Sequence, residues 1–352
     1  MLVAAVLVTH NRPQLLLQAL AALRAQTRPL DAIYVVDNAS EPPCAPAAIG
    51  AIGASGAAAA SDPGRRHDVT LVRSDTNLGG AGGFALGMTR AFADGHDWIW
   101  LLDDDAMARP DALAQLLDTA AGADPAIGAL CGTVHEFGDI ALRHRRRYHL
   151  PTGIERPLPR AAYEGAPCRV DTASFVGFLV AASAIAEAGM PERDFFLGYD
   201  DTEYTLRLGR AGRPVWLVPG SVIEHLRGRR ARLRAGPFGP KHYFTIRNRI
   251  AVARAYATLP VVPTVVTLLF GLALWAVSGG RLRRGAFSTL LHAIGDGIHG
   301  RLGPFPETLA QLQTRPVAPP QHSRSRAASA TGPPQSTAGP PHGSADTGPG
   351  RA

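Results

Sequence analysis

What most constrains this chain is a rhythm. From Leu2 to Cys131, short aliphatic runs alternate with stretches whose apolar residues recur at helical spacing. Leu2–Val8 is continuous and of strand length, as expected of a strand covered on both faces. Pro13–Ala25 carries Leu16, Leu20 and Leu23 along one stripe, with Pro13 at a first helical position, where its missing N–H costs nothing. Ala32–Val36, Val69–Val72, Trp98–Leu102 and Ile127–Cys131 read as further strands. Pro110–Ala121 reads as a helix, and so does the stretch from a glycine-rich loop, Asn77–Gly83, to Ala93. Alternating units of this kind predict an α/β fold, a mostly parallel sheet with helices on both faces. With 352 residues, 46% hydrophobic and 18% charged, the chain can bury a large core. Those figures exclude a collagen-like chain, a disulfide scaffold and a polytopic membrane protein.

Polar residues recur where the strands end: Thr9, His10, Asn11 and Arg12; Asp37 and Asn38; Arg73; Asp103, Asp104 and Asp105. Open α/β sheets bind ligands at the carboxyl ends of their strands, so this rim is the expected site. A net charge of +7 favours an anionic partner. The three cysteines are far apart and form no CxxC pair, which points to a reducing cytosol. The opening apolar run has no basic segment before it and is not expected to be a secretory signal.

Five other segments stand outside the rhythm. Residues 42–64, rich in Ala, Gly and Pro, read as a flexible insertion, and residues 313–352 as a disordered tail. Arg143–Tyr148 and Arg227–Arg234 are basic runs. Ala255–Gly280 has no charged residue and precedes Arg281, Arg283 and Arg284. Its uninterrupted part, Thr264–Ser278, would be roughly 22 Å long as a helix, short of a ~30 Å hydrocarbon core. The expectation is a helical region over 251–312 that lies on a membrane surface, with packing on the protein's own core as the alternative.

Three adjacent carboxylates at the end of a buried strand repel one another and are costly without a cation. In extended geometry Asp103 and Asp105 project to one side and Asp104 to the other. Two carboxylates on one side suit Mn²⁺ or Mg²⁺ bridging a diphosphate. A second acidic stretch, Tyr199-Asp200-Asp201-Thr202-Glu203, opens a helix. Asp200 with Glu203 reads as a capping box, which leaves Asp201 unexplained and placed to act as a general base. His225, which follows the strand-like Val215–Val218 and the turn Pro219–Gly220, is a further candidate metal ligand. The glycine-rich loop is neither GxGxxG nor a P-loop, and reads either as a close backbone approach to a nucleotide or as a flexible turn.

Together these stretches resemble the family 2 inverting glycosyltransferases of GT-A fold, over residues 1–250. The resemblance implies that Thr9, His10, Asn11, Arg12, Asp37, Arg73 and Asn77 bind the nucleotide, with Asp103 and Asp104 on the nucleotide-sugar. It implies Asp103, Asp105 and His225 as ligands of Mn²⁺ or Mg²⁺, Asp201 as the base, and Tyr199, Asp200 and Glu203 around the acceptor. Asn77-Leu-Gly-Gly-Ala-Gly-Gly-Phe84 with Leu101-Leu-Asp-Asp-Asp-Ala106 looks most like the bacterial galactofuranosyltransferases, with rhamnosyltransferases close. Lys241–Arg249 resembles a Tyr-rich, Arg-Asn stretch that follows the catalytic domain in these enzymes. The insertion at 42–64 departs from the pattern. A short C-terminal region in place of a large helical domain implies addition of one or a few sugars.

The expected activity is therefore metal-dependent transfer, with inversion, from a nucleotide diphosphate sugar to a polyprenyl-linked cell-envelope glycan, at the inner face of the cell membrane. UDP-galactofuranose is the expected donor, with dTDP-rhamnose as the alternative. A sugar nucleotidyltransferase and a non-catalytic glycan-binding protein are rivals from other classes. Nucleic acid is disfavoured as a partner, because an acidic rim repels phosphates and no recognition motif is visible.

Overall fold

The computed structural model describes residues 1–45, 68–121, 126–226, 228, 237–278 and 285–314. Nearly all of the expected insertion and tail, the run Arg227–Arg234 and Arg281–Arg284 lie outside these residues. The strands are β1 (Val3–Thr9), β2 (Ala32–Asn38), β3 (Asp68–Ser74), β4 (Trp98–Asp103), β5 (Ala106–Ala108), β6 (Ala129–Glu136) and β7 (Asp139–Ile140). They continue with β8 (Arg145–His149), β9 (Ile154–Pro157), β10 (Cys168–Val170), β11 (Thr172–Ala173), β12 (Phe178–Ala181) and β13 (Val215–His225). The described helices are α1 (Pro13–Arg24), α2 (Gly79–Ala93), α3 (Ala112–Ala121), α4 (Ala182–Ala188) and α5 (Asp200–Arg210), then α6 (Pro240–Tyr256), α7 (Val261–Val277), α8 (Ala286–His299) and α9 (Glu307–Thr314).

The large sheet runs β10-β13-β6-β12-β4-β1-β2-β3. The expected parallel arrangement holds from β3 to β4 and for β6 with β13. Strand β12 runs antiparallel to both of its neighbours, so the sheet is mixed. Strands β11-β8-β9 form a separate small sheet.

Strand β1 shows why the sheet is a centre and not a surface. Val3, Ala5 and Leu7 join Leu16, Leu20 and Leu23 of α1 and Leu113 and Leu116 of α3 in one core. Ala4, Val6 and Val8 join Phe84 and Met88 of α2 and Tyr204 and Leu208 of α5 in the other. Both faces are apolar because both carry helices, and each fully buried Val or Leu contributes about 1.5–3 kcal/mol.

Four local expectations change. The glycines at 79–83 are not a loop but the opening of α2. They bring the helix onto the sheet: a Cβ on Gly83 would lie 2.5 Å from a Val8 methyl, and one on Gly87 2.4 Å from a Val6 methyl. The strand expected to stop at Cys131 continues to Glu136. Pro219–Gly220 does not end a strand but lies in a bulge of β13, which pairs with β6 on either side of it. The capping box at Asp200 does not form, because the left-handed Tyr199 (φ 69°) is the cap residue and Asp200 is the first residue of the helix.

The basic run Arg143–Tyr148 is also not a solvated patch. Arg145, fully buried, donates to the carbonyls of Gly132, His144, Ser174 and Val176. Arg146 pairs with Glu155 at 2.8 Å. Beyond β13, helices α6, α7 and α8 enclose a third core built on Tyr243, Phe244, Ile246, Ile250, Leu274 and Leu290. The outer face of α7 leaves Val261, Val265, Leu269 and Val277 exposed. No helix among the described residues is long and apolar enough to cross a membrane.

Candidate active site

The register of the sheet assembles the site. Strand β1 places Thr9 opposite Asp37 of β2 and Val8 opposite Asp103 of β4, so three strands end at one level. After Asp103 the chain turns and returns as β5, where Ala106 pairs with His225 at the end of β13. Asp103 and Asp105, expected on one side, do share a side with His225, although a turn and not an extended strand puts them there. Asp104 points elsewhere. It accepts from the Thr9 hydroxyl at 2.8 Å and from Arg12 Nη1 at 3.1 Å, and Arg12 Nη1 also reaches Asp105 at 3.2 Å.

His225 sits between two carboxylates. Its Nε2 is 3.1 Å from Asp105 Oδ1 and its Nδ1 is 2.9 Å from Glu136 Oε1. The same Glu136 oxygen lies 3.1 Å from His144 Nε2. Burial pushes His144 down to about 4, so it is neutral. A ring that donates from Nε2 to Glu136 accepts the Ser174 hydroxyl at Nδ1, 2.6 Å away. The two imidazoles, through their hydrogen bonds, hold Glu136 down at about 2 despite its burial. Burial opposes the charged form of His225, but Asp105, Asp103 and Glu136 outweigh it and raise its pKa. Burial would raise Asp105, but hydrogen bonding and charge from His225, with Arg12, hold it below the ordinary carboxylate range. Asp103 goes the other way. Burial, then Asp105, Asp104 and Asp201, push it up to about 7 against the attraction of His225.

These residues fit a divalent cation. One ligand atom each from Asp103, Asp105 and His225 fall within 4.8 Å of one another. Two carboxylates and an imidazole suit Mn²⁺, and an Asp103 crowded by like charge is the group a cation would ionise. With Nε2 turned to that cluster, Glu136 at Nδ1 fixes the tautomer and orientation of His225.

The second acidic site borders the first. The charge of Asp201 acts on Asp103, and Asp200 is raised well above the carboxylate range by burial and by Asp201 and Asp103. Asp201 Oδ1 accepts from the Thr202 amide at 2.6 Å, and Arg146 holds the Thr202 hydroxyl at 3.0 Å. Asp201 Oδ2 has no hydrogen-bond partner among the described residues. Glu203, two residues on and about 200° round the helix, is engaged by Arg207 at 2.9 Å and the Tyr256 hydroxyl at 2.6 Å. Tyr199 packs beside Phe195, Leu206 and Tyr256.

The nucleotide-side candidates form one network. Asp37 accepts from the amides of Ser40 and Cys44 and pairs with Arg73. His10 Nδ1 is 2.8 Å from the Asn38 carbonyl. Asn77 Oδ1 accepts from the Gly79 amide at 2.8 Å, and Asn11 Oδ1 from the Glu41 amide at 2.7 Å. Asn38, expected on the rim, donates to Asn77 and to the Gly79 carbonyl, and two participants were not among the expected residues, the pair Glu136 and His144. A polar residue at the end of a strand was the signal for Thr9, Asp37, Arg73 and Asp103–Asp105. It would have found Glu136 had the strand been extended to its true end.

A strand-end carboxylate and histidine centre on a mixed α/β sheet, bordered by a second acidic helix, defines a glycosyltransferase of GT-A fold. The sequence profile of glycosyl transferase family 2 matches residues 4–180, and the chain belongs to that family. It is 35% identical over 259 residues to galactofuranosyltransferase GlfT1 of Mycobacterium tuberculosis, across 70% of this chain and 80% of that protein. It is 31% identical over 274 residues to GlfT1 of Mycolicibacterium smegmatis, across 70% of this chain and 81% of that protein. The crystal structure of S. aureus TarS 1–349 in complex with UDP shares the fold, with a TM-score of 0.51 at 11% identity over 89% of this chain and 83% of that one.

Proposed function

We propose that this glycosyltransferase moves galactofuranose from UDP-galactofuranose to a lipid-linked cell-envelope glycan, with inversion and with a divalent cation. The convergence of Asp103, Asp105 and His225 carries the chemistry, and the likeness to GlfT1 carries the sugar. Those three residues would hold Mn²⁺ or Mg²⁺, which when bound neutralises charge on the departing diphosphate. Asp104, tied to Thr9 and Arg12, fixes the turn that presents them. Thr9, His10, Asn11, Arg12, Asp37, Arg73 and Asn77 surround the nucleotide. The acceptor oxygen attacks the anomeric carbon from the face opposite the diphosphate, and the bond from that carbon to the phosphate oxygen breaks. Asp201 Oδ2 takes the hydroxyl proton and the nucleoside diphosphate leaves. Tyr199 and Asp200 line the acceptor side.

Residues 1–250 carry this chemistry, and 251–312 hold the enzyme at the inner face of the cell membrane. Val261, Val265 and Leu269 leave an exposed apolar face along α7, Phe287 and Leu291 are exposed on α8, and Arg281, Arg283 and Arg284 follow α7 in the sequence. Such a face suits an anionic lipid surface better than water.

The test is UDP release with a membrane glycolipid extract, with and without Mn²⁺. Acceptor- and Mn²⁺-dependent release, fastest with UDP-galactofuranose, is expected. Faster turnover of dTDP-rhamnose would replace the sugar, and diphosphate release from an NTP would replace the reaction. Co-sedimentation with anionic vesicles that survives Leu269→Asp together with Val265→Asp would remove the membrane role from α7.

A further inference from the structure

The loop that leads into α5 is unusual. Phe196, Gly198 and Tyr199 are all left-handed (φ 63°, 74° and 69°), and two of them carry side chains that disfavour that conformation. Two strained residues within four positions need outside support, and α6 supplies it. Asn248, fully buried, directs its Nδ2 at the carbonyls of Phe195, Leu197 and Gly198, at 3.0, 3.1 and 2.7 Å. Arg247, also fully buried, donates through Nη2 to the Phe195 carbonyl at 2.8 Å and through Nη1 to the Gly303 carbonyl at 2.6 Å. Its Nε reaches Asn248 Oδ1 at 2.7 Å, which orients the amide. No carboxylate joins these contacts. The Asn248 amide and the Nη2 of Arg247 are spent on the carbonyls of one loop.

The other side of the loop rests on α2. The Phe196 carbonyl accepts from the Ala81 amide at 3.3 Å, and a Cβ on Gly79 (φ 70°) would lie 1.9 Å from that same oxygen. The Phe196 ring stacks on Phe244 of α6 at 4.9 Å. The loop is therefore clamped between the helix that follows Asn77 and the C-terminal helices, and it ends at Tyr199, the residue that starts α5.

We infer that Arg247 and Asn248 are positioning residues for Asp201. By satisfying the carbonyls of Phe195, Leu197 and Gly198 they hold the positive-φ path that aims the first turn of α5, and with it Asp201 Oδ2, at the acceptor. This rests on Asp201 acting as the base. Displacing a reacting group by about 1 Å can cost 10²-fold in rate, whereas the donor site, on the far side of Gly79, keeps its own contacts.

Full-length Asn248→Ala, Asn248→Asp, Asp201→Asn and the double variant Asp201→Asn/Asn248→Ala test it. Asn248→Ala should lower kcat by about 10- to 100-fold, keep the calorimetric affinity for UDP with Mn²⁺ within about twofold, and speed amide exchange over residues 195–201. Asn248→Asp keeps the shape and loses the amide donors, so at pH 8 it should match Asn248→Ala. If only volume mattered it would resemble the parent, and the inference would fail. On the Asp201→Asn background, Asn248→Ala should cost no further activity, since both remove one function. Equal losses of UDP affinity and kcat, unchanged exchange at 195–201, or neither Asn248 variant folding would each overturn the positioning role. An active Asp201→Asn enzyme would instead overturn the base, and an inactive one beside an active Asn248→Ala would overturn only the clamp.

Discussion

Buried charge is handled in opposite ways in two parts of this molecule. Arg145, the first residue of β8 in the small sheet, and Arg247, in the C-terminal helical layer, are fully buried and spend their donors on carbonyl oxygens. At the strand-end rim and the first turn of α5, Asp103, Asp104, Asp105, Asp200 and Asp201 crowd together, with Arg12, His225 and Arg146 as the cations beside them. Saturated charge of the first kind holds backbone in place and is silent chemically. Charge of the second kind is a standing cost that only a function explains, because burying like charges without compensation is unfavourable. The difference separates scaffold from site more sharply than burial or polarity alone.

The largest effect that could break this division belongs to Asp201. Asp201→Asn should reduce acceptor-dependent UDP release by about 10²- to 10⁴-fold, the range of a lost general base, while UDP binding with Mn²⁺ persists in calorimetry. Near-parental turnover would show that its unpartnered oxygen does no proton transfer. On the saturated side, Arg145→Ala should lower unfolding stability by about 3 kcal/mol, since several buried carbonyls lose their donor together. Urea denaturation that finds less than about 1 kcal/mol would mean those carbonyls find other partners.

Glu136 stands between the two classes, satisfied by two imidazoles yet touching the metal-side His225. Glu136→Gln should weaken Mn²⁺ binding by about 10- to 100-fold, as loss of a ligand's outer partner does, with Mn²⁺ titration by electron paramagnetic resonance as the readout. Unchanged affinity would place Glu136 with the scaffold.

The smallest effect concerns pH. Folding raises Asp103 from its ordinary 3.8 to about 7, so the fold favours its protonated form. The stability this group contributes is full below its ordinary value and is lost as pH rises through about 7. Mn²⁺ competes with that proton, so the thermal shift caused by Mn²⁺ should grow between pH 5.5 and pH 8. An equal or larger shift at pH 5.5 would take Asp103 out of the cation site.

Much of the rim was legible without coordinates. The triplet Asp103–Asp105 at the end of a buried strand required only the rule that α/β sheets bind at strand ends, whereas His225 rested on the family resemblance. The same rule missed Glu136 because the strand containing it was read as ending at Cys131, where the aliphatic run gives way to Gly132 and Thr133. Burial of β6 by neighbours remote in sequence, not its own hydrophobicity, carries it on to Glu136. Asn77–Gly83 was read as a loop because glycine weakens helices, yet at Gly83 and Gly87 the absence of a side chain is what lets α2 approach Val8 and Val6. Arg143–Tyr148 reads only as a basic run and is largely a structural strand, since a run of arginines does not declare which of them will meet carbonyls inside.

The order of strands and helices, the two-faced burial of β1 and the location of an acidic centre at the strand ends were written in the chain itself. Each depends on spacing along one segment, and periodicity encodes that directly. Which carboxylate is ionised, which histidine meets which acid, and how Arg247 and Asn248 come to hold a loop some fifty residues earlier were decided only by the assembled fold. Desolvation and hydrogen bonding act through distance in space, and no local pattern of residues carries that information.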